Sequence, residues 1–489
     1  MNNQIIVADE MLRSVSLISL RKGLKGATLV RRSFINRYTK SHASPSNLSR
    51  IAIIGAGPGG LTLGALLHRH RIPFTIYEYR QQPKESDYAQ SSGMLDLHPD
   101  TGLAALEACG LTSEFRARSV ECGEAVIVAD KDGSVLWSME SAGDTQPEIS
   151  RRALTKLLLS RVPGEYIQWE HQLTSAYSST AIKLPGKDRD YDYTLRFEDR
   201  SESGRLDATS DVEVTVDLVV GADGAWSRTR SSLLDTHKPA DKQNPIYSGV
   251  QMITLDIVNL TTRYPELSTL LGPGSFFALG DGNVIIAQRG AGGAARIYVT
   301  VSTCEDDSLG ISTTTPRGVI QDMLLSAATT DEARSWRNFN TWGPRLQNLI
   351  AVGLAEAKAD LDIRGLYMRP VDELAWRHRA GVTLIGDAAH LMTPFAGEGV
   401  NLALSDALGL SRVIMQAWDA SITAGDNDAD RKLAFRGLLD PLVQEAEKDM
   451  IAKAEESAQE AWDNLQVFVG EDAAKKTAAL YQGWYPQPV

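Results

Sequence analysis

The stretch RIAIIGAGPGGLTLGALLHRHRIPFTIYEYR, residues 50–80, has the pattern of a strand, a tight turn, a helix and a second strand. The run IAII is typical of a short buried strand, and the glycine-rich GAGPGG follows it directly. LTLGALLHRH then repeats apolar residues at helical spacing, and FTIYE is again a strand-like run. This order within about thirty residues predicts a βαβ unit with two parallel strands.

The glycines of this turn have the G-x-G-x-x-G spacing of a dinucleotide-binding loop. Gly55 allows the turn, Gly57 lets backbone amides approach a pyrophosphate, and Gly60 lets the helix pack closely on the strand. Glu78 ends the second strand, where a carboxylate accepts hydrogen bonds from a ribose 2′-hydroxyl and disfavours a 2′-phosphate. The sequence therefore predicts binding of a dinucleotide of the FAD or NAD type.

Two loops far along the chain have a similar character. VDLVV is followed by GADGAWSRTR, which starts at Gly221, and VTLI is followed by GDAAHLMTPFAGEG, which starts at Gly386. Ligands of open α/β sheets bind at the carboxyl ends of the strands, so we expect the three loops to meet at one cofactor. An NAD dehydrogenase would usually continue with another βαβ unit. This chain continues with the hairpin-like AVIVADKDGSVLW, which favours FAD.

The rest of the chain divides into a β-rich part and a helical part. Strand-like segments dominate from Tyr247 to about Ser302, and the helix-like VNLALSDALGLSRVIMQAW follows the third loop. The last sixty residues also have a helical pattern, with Asp440 as a candidate N-cap and Pro441 in the first turn of a helix.

Composition and charge exclude several classes of protein. The 489 residues are 43% hydrophobic and 23% charged, and the net charge of -12 argues against general nucleic-acid binding. No apolar run approaches the length of a membrane span. Cys109, Cys122 and Cys304 do not have the spacing of a zinc site, and we predict no metal and no disulfide framework.

Residues 1–50 differ from the remainder because they are rich in serine and basic residues. Their only acids are Asp9 and Glu10. The basic residues are Arg13, Arg21, Lys22, Lys25, Arg31, Arg32, Arg37, Lys40 and Arg50. The interpretations that remain open are an organelle transit peptide, a disordered or weakly helical extension, and an upstream start codon, so the expected location is the cytoplasm or an organelle.

The three loops, in this order and spacing, resemble the fingerprint, DG and GD motifs of the class A flavoprotein monooxygenases of p-hydroxybenzoate hydroxylase type. The resemblance extends over roughly residues 50–420. SSGMLDLHPDTGLAAL and LIGDAAHLMTPFAGEGVNLALSDAL are most similar to the tetracycline-inactivating branch and its fungal relatives.

This resemblance implies cofactor contacts for loop glycines and for five charged side chains. The implied set is Gly55, Gly57, Gly60, Glu78, Asp96, Arg151, Asp223, Gly224, Gly386, Asp387, Gly397 and Gly399. Asp387 would bind the ribityl part of FAD or the part next to the pyrophosphate, and Asp223 would lie where the loop serves both FAD and NAD(P)H. A helix starting near Gly399 would direct its free amides at the negative charge of the reduced flavin.

Departures from the family pattern affect the substrate prediction. Glu398 stands where the family often has Gln, and Thr254 stands where the tetracycline-inactivating branch has a substrate-contacting Gln. The substrate-contacting Arg of that branch has no counterpart, so tetracycline is not carried over as the substrate. Candidate pocket residues in the β-rich part are Met252, Thr254, Phe276, Phe277 and Gln288. No side chain is assigned as a catalytic base, and His390 is interpreted as a structural hydrogen-bonding residue.

The resemblance implies an FAD-dependent monooxygenase that uses NADPH or NADH and O2 to hydroxylate an aromatic or polyketide-like small molecule, in secondary metabolism or xenobiotic modification. FAD would be bound non-covalently. Arg80 is the one candidate for contact with a 2′-phosphate of NADPH, against the interpretation of a surface arginine. Two alternatives remain open. The first is a Baeyer–Villiger or epoxidising monooxygenase on the same scaffold, and the second is a non-catalytic flavin-binding protein.

The predicted fold class is α/β: a Rossmann-like FAD-binding domain of glutathione-reductase type, an inserted β-rich substrate domain and a C-terminal helical region. The FAD-binding domain comprises residues 51–125, 151–240 and 372–420. The substrate domain comprises residues 126–150 and 241–371. Residues 1–50 form the basic extension, and residues 421–489 form the C-terminal helices.

Overall fold

The computed structural model describes residues 50–88, 92–123, 125–140, 145–178, 192–200, 211–239, 242–303, 314–326, 338–357, 361–424 and 426–484. The predicted basic extension therefore lies, apart from its last residue, outside the described residues.

The helices and strands within these ranges are numbered in chain order. The strands are β1 Ile51–Ile54, β2 Phe74–Tyr77, β3 Met94–Asp96, β4 Val120–Gly123, β5 Val126–Asp130, β6 Val135–Met139, β7 Thr145–Ser150, β8 Ile167–Gln168, β9 His171–Ser178, β10 Tyr193–Asp199, β11 Asp211–Val216, β12 Leu218–Gly221, β13 Ile246–Ile257, β14 Ser275–Gly280, β15 Asn283–Arg289, β16 Ala295–Ser302, β17 Asp362–Met368 and β18 Val382–Leu384. The helices are α1 Pro58–Arg69, α2 Glu85–Tyr88, α3 Ala104–Ala108, α4 Thr112–Arg116, α5 Arg151–Leu159, α6 Leu260–Arg263, α7 Pro265–Leu271, α8 Arg317–Leu325, α9 Pro344–Glu356, α10 Asp387–His390, α11 Gly399–Ile422, α12 Asp428–Val469 and α13 Ala473–Trp484.

A parallel sheet joins the three parts of the chain that carry the glycine-rich loops. Its order in the described residues is β18-β12-β1-β2-β8. Strand β1 pairs in parallel with β2 and β12, and β12 pairs in parallel with β18. Apolar side chains of β1 pack against α1, α5 and α11 in one buried cluster. The carboxyl ends of β1, β12 and β18 therefore lie side by side, as the sequence predicts, and the predicted α/β fold is confirmed.

A second sheet forms the β-rich region, with the order β17-β13-β16-β15-β14-β5-β6 among the described strands. One face packs on α7, α8 and α9 through a buried apolar cluster that includes Leu255, Phe276 and Leu346. Side chains alternate between the two faces of a strand, so the neighbours of these residues point to the other face.

Two small sheets complete the described β structure, with the orders β11-β10-β9 and β3-β7-β4. Strand β7 pairs with β3 and β4, and β5 and β6 belong to the larger sheet. The sequence pattern placed residues 126–150 as one block in the substrate domain. The strand pairing assigns β5 and β6 to the larger sheet and β7 to a separate small sheet with β3 and β4.

The prediction that Asp440 and Pro441 begin a helix is wrong. Helix α12 begins at Asp428, after the N-cap Asn427, and continues through Pro441 to Val469. The side chain of Asn427 accepts a hydrogen bond from the backbone N–H of Asp430, as an N-cap does. A proline inside a helix removes one backbone hydrogen bond. Helix α12 packs against α11 and is bound by His378 in the segment before β18.

His378, just before β18, binds α12 through two carboxylates. Its Nδ1 lies 2.7 Å from Glu447 Oε2, and its Nε2 lies 3.2 Å from Asp440 Oδ1. The hydrogen bond to the buried Glu447 raises the pKa of His378 above 6.5, although burial opposes this shift. The stabilisation is therefore complete below about pH 6.5 and is lost as the pH rises through the raised pKa of the folded protein.

The variant His378→Gln should be less stable than the wild type by about 1 kcal/mol at pH 6, a value already reduced for solvent screening. The difference should shrink as the pH rises to 9, because the wild-type imidazole loses its proton. Urea unfolding across this range measures the difference, with the exposed His237→Gln as the matched control. A difference that stays constant with pH would contradict the ion-pair interpretation.

None of the helices in the described ranges combines the length and the apolar composition that crossing a bilayer requires.

Candidate functional site

The three glycines of the first glycine-rich loop have different surroundings. Two of them are tightly packed, and the third faces open space. A Cβ on Gly55 would overlap the carbonyl oxygen of Ala222 in the neighbouring loop, and Gly55 also has a φ of +109°. A Cβ on Gly60 would overlap the carbonyl oxygen of Gly55. A Cβ on Gly57 would meet no protein atom within 4 Å. Gly57 therefore borders a cradle at the N-terminus of α1, whereas the other two are needed for packing.

Glu78 follows β2 and is 2% exposed. Its Oε2 accepts a hydrogen bond of 2.7 Å from the backbone N–H of Ala56, and its Oε1 accepts hydrogen bonds from the backbone N–H and from Nε of Arg80. The carboxylate thus fixes the glycine-rich loop, and Oε2, which accepts one hydrogen bond, retains a lone pair for a ligand hydroxyl. Arg80 pairs with Glu78 and is otherwise exposed, which agrees with the interpretation of a surface arginine.

The loop after β12 carries the DG motif, Asp223 and Gly224, and is called the DG loop. Hydrogen bonds to the side chain of Asp223 hold its conformation. Its Oδ1 accepts a hydrogen bond from Ser227 Oγ at 2.6 Å, and its Oδ2 accepts hydrogen bonds from the backbone N–H and the hydroxyl of Thr229. Burial raises the pKa of Asp223, and these hydrogen bonds oppose the shift. The carboxylate therefore shapes its own loop, and Gly224, with a φ of +77°, faces open space beside it.

Arg230 connects the DG loop to the GD loop. Its Nε donates to Asp235 Oδ2 at 2.9 Å, its Nη1 to the carbonyl oxygen of Ala389 at 2.7 Å, and its Nη2 to the carbonyl oxygen of Leu374 at 3.0 Å. Arg230 and Asp235 are both 0% exposed. Two loops from distant parts of the chain are thus held together by one buried guanidinium.

The GD loop after β18 is fixed to α11 by a histidine–aspartate pair. His390 Nε2 lies 2.7 Å from Asp406 Oδ2, which also accepts a hydrogen bond of 2.9 Å from the backbone N–H of Gly386. Burial lowers the pKa of His390, but the charge and hydrogen bond of Asp406 outweigh this effect and raise it. The predicted structural role of His390 therefore agrees with its contacts.

Asp387, at the start of α10, and Arg151, at the start of α5, lie close enough for their charges to interact. Both side chains are solvent-accessible, yet desolvation is the main influence on each. It raises the pKa of Asp387 and lowers the pKa of Arg151, and the two charges attract one another. Accessible surface together with strong desolvation is expected for side chains that face a narrow cavity surrounded by protein.

The turn before α11 presents two further glycines with open surroundings. Gly397 has a φ of +75°, and a Cβ on Gly397 or Gly399 would meet no atom within 4 Å. Helix α11 begins at Gly399, so the first turn of a 24-residue helix directs its free amides into this space.

Asp96, at the end of β3, is held against α11 through its backbone. Asn401 Nδ2 donates to the carbonyl oxygen of Asp96 at 3.0 Å, and Asn401 Oδ1 accepts from the backbone N–H of His98 at 3.0 Å. Asn401 is 0% exposed. The structure thus brings β3, the GD loop and α11 together.

The predicted pocket residues Met252, Thr254, Phe277 and Gln288 share one face of the larger sheet, opposite α7–α9. The strand registers place Thr254, Tyr298, Ile286 and Phe277 in one row across the sheet. The same registers place Met252 one row away on one side and Gln288 one row away on the other. Phe276 was predicted for the pocket but points to the opposite face and is buried in the core, because neighbouring residues of a strand alternate.

This sheet face lies against the cofactor-side residues. A Cβ on Gly93 would lie 2.8 Å from Tyr298 Oη and 3.7 Å from Arg151 Nε, and the charge of Asp387 acts on Arg151. Phe277 and Met252 also border α12, because Phe277 packs on Phe468 while Met252 belongs to an apolar cluster with Leu465.

The residues present fit FAD. The open glycine positions form cradles at the N-termini of α1 and α11, where backbone amides favour anionic groups. Glu78 and Asp387 would supply acceptors for sugar and ribityl hydroxyls. No group of acidic, histidine or cysteine residues in the described ranges has the arrangement of a metal site.

The sequence did not identify His98, Asn401 and Asp406 as members of this region. Each acts through a partner that is distant in sequence, and no local motif marks them. Asp406 lies on the helix that follows the GD loop, which is the only sequence signal that could have drawn attention to it.

Comparison with known proteins identifies the same cofactor. A family model described as an FAD binding domain matches residues 49–421. The chain is 34% identical to the monooxygenase penA of Penicillium thymicola over 452 residues, which cover 87% of this chain and 97% of penA. It is 32% identical to the monooxygenase asqM of Emericella nidulans over 460 residues, which cover 88% of this chain and 98% of asqM.

Among solved structures, Klebsiella pneumoniae HpxO complexed with FAD and uric acid is similar, with a TM-score of 0.61. The alignment covers 90% of this chain and 93% of HpxO at 18% sequence identity. At this identity, the likeness shows the fold.

Proposed function

The chain belongs to the class A flavoprotein monooxygenases and is an FAD-dependent enzyme, and we propose on this basis that it uses NADPH or NADH and O2 to hydroxylate a planar aromatic or polyketide-like small molecule. When bound, FAD accepts a hydride from the nicotinamide and activates O2 so that one oxygen atom reaches the substrate. The protein's own contribution is to bind, orient and exclude water.

One observation carries the proposal: the face of the larger sheet that carries Tyr298 lies beside Arg151, whose charge interacts with that of Asp387. A substrate between this face and the cofactor would contact Met252, Thr254 and Phe277. Helix α12 would cover the space between this face and the cofactor and restrict the entry of water. Exclusion of water favours oxygen transfer to the substrate over release of hydrogen peroxide.

Aromatic side chains around this face support a planar substrate. Phe395, in the turn before α11, packs edge-on against Phe468 at 5.7 Å between ring centroids, and Phe468 contacts Phe277 at 6.0 Å. Such rings bind flat apolar molecules by stacking and edge contacts.

The activity can be tested with FAD-loaded protein, NADPH or NADH, and a panel of planar aromatic compounds under ¹⁸O2. We expect at least one compound to stimulate nicotinamide oxidation and to gain a single ¹⁸O atom as a hydroxyl group. A ring-expanded ester would instead indicate the Baeyer–Villiger alternative. If no planar aromatic compound gains oxygen and all consumed O2 appears as hydrogen peroxide, the proposed hydroxylation is wrong.

A further inference from the structure

A charged pair lies between the β3 segment and the first turn of α11, beside the turn formed by Gly397 and Gly399. His98 Nδ1 lies 3.2 Å from Glu398 Oε1, and His98 Nε2 lies 3.7 Å from Asp96 Oδ2. The side chains of His98 and Glu398 are only 18% and 16% exposed. A histidine with a carboxylate at each ring nitrogen is suited to carry both protons, because each nitrogen can then donate.

The protein holds this pair in a fixed position. The backbone N–H of His98 donates to the buried Asn401, which also donates to the carbonyl oxygen of Asp96. Asn401 belongs to the first turn of α11, and Glu398 is the residue directly before that helix. The imidazole and the carboxylate therefore keep their place relative to the amides of this turn.

The charge of Glu398 alone would oppose the function of the turn. The free amides of the first turn favour a negative group, and the reduced flavin carries negative charge at the edge that this family places there. A carboxylate between Gly397 and Gly399 would repel that charge, whereas a protonated histidine beside it cancels the repulsion. Burial opposes protonation of His98, but Asp96 and Glu398 outweigh it and raise the pKa of His98 to about 10.

We propose that His98 and Glu398 are a positioning ion pair that sets the reduction potential of the bound flavin, with His98 neutralising the carboxylate at the N-terminus of α11. The inference rests on the FAD site described above. Glu398, which stands where the family often has Gln, would thereby have a defined role. The groups facing the imidazole are Glu398 from the turn and Asp96 from β3.

The test compares the flavin midpoint potential at pH 7 in four proteins: wild type, His98→Gln, Glu398→Gln and the double variant. His98→Gln removes the positive charge between the carboxylates of Glu398 and Asp96 and should shift the ratio of reduced to oxidised flavin about tenfold toward the oxidised form, which is about 30 mV for a two-electron couple. Glu398→Gln should shift the ratio in the opposite direction. The double variant should return close to the wild-type value.

Shifts of the midpoint potential with opposite signs in the two single variants would indicate charge compensation. A merely structural role would shift the potential of both single variants in the same direction. Glu165→Gln, which removes an exposed carboxylate from a short 3-10 turn, is the control and should leave the potential unchanged. Equal potentials in all four proteins, or shifts of the same sign, would overturn the ion-pair proposal while leaving the FAD site and the proposed oxidation intact. A wild-type protein that does not bind FAD would overturn both.

Discussion

Replacing Gly57 with leucine should abolish FAD binding and leave the apoprotein folded. A Cβ at this position meets no protein atom within 4 Å, so the added side chain enters the space where the pyrophosphate would approach the backbone. We expect the dissociation constant for FAD to rise at least about 100-fold, which corresponds to about 2.7 kcal/mol. Fluorescence quenching of FAD on titration with apoprotein measures this constant, and circular dichroism checks the fold.

The matched control is Gly318→Leu, because Gly318 is an exposed glycine in α8 whose Cβ also meets open space. It should bind FAD like the wild type. Wild-type FAD affinity in the folded Gly57→Leu protein would show that the cradle at α1 is not the pyrophosphate site.

Replacing Arg230 with leucine should cause a large loss of stability, greater than that of His378→Gln. The guanidinium and its partner Asp235 are both fully buried, and Arg230 also binds the carbonyl oxygens of Leu374 and Ala389. Removing one member of a buried pair leaves an uncompensated charge and typically costs about 3–5 kcal/mol. Arg369 and Lys238, at 3.9 Å and 3.8 Å from Asp235, offset only part of this charge.

Urea unfolding of purified apoprotein measures the effect. Arg196→Leu removes an exposed cross-strand ion pair with Glu213 and should cause a much smaller loss. If Arg230→Leu does not yield folded protein, Arg230→Lys keeps the charge, loses the planar fork and should have intermediate stability. Unfolding midpoints for Arg230→Leu and Arg196→Leu that both match the wild type would show that the contacts of Arg230 do not stabilise the DG and GD loops.

The sequence predicts those parts of the site that depend on local pattern and sheet topology. Gly55, Gly57 and Gly60 follow a strand and open a helix within one short stretch, so their separate tasks follow from the local pattern alone. The shared edge of the three loops follows from a general property of parallel sheets. The alternation of side chains similarly places Met252 and Thr254 on one face, once the strand is recognised.

The remaining contacts depend on pairings between distant residues, which a single sequence does not contain. Asn401 lies about three hundred positions from its partners in the β3 segment, and Glu398 is equally far from His98. Helix α12 shows how tertiary contacts override a local signal. Asp440 and Pro441 have the pattern of a helix start, but His378 and Glu447 secure a helix that continues through the proline.

One chain is expected to assemble one FAD site from three separate loops. The most direct measurement is the amount of FAD released by heat denaturation from protein that has been saturated with FAD and freed of excess ligand. We predict about one FAD per chain, released without proteolysis, in the wild type, and almost none in Gly57→Leu. Folded wild-type protein that retains no FAD after saturation would show that the three loops do not form an FAD site.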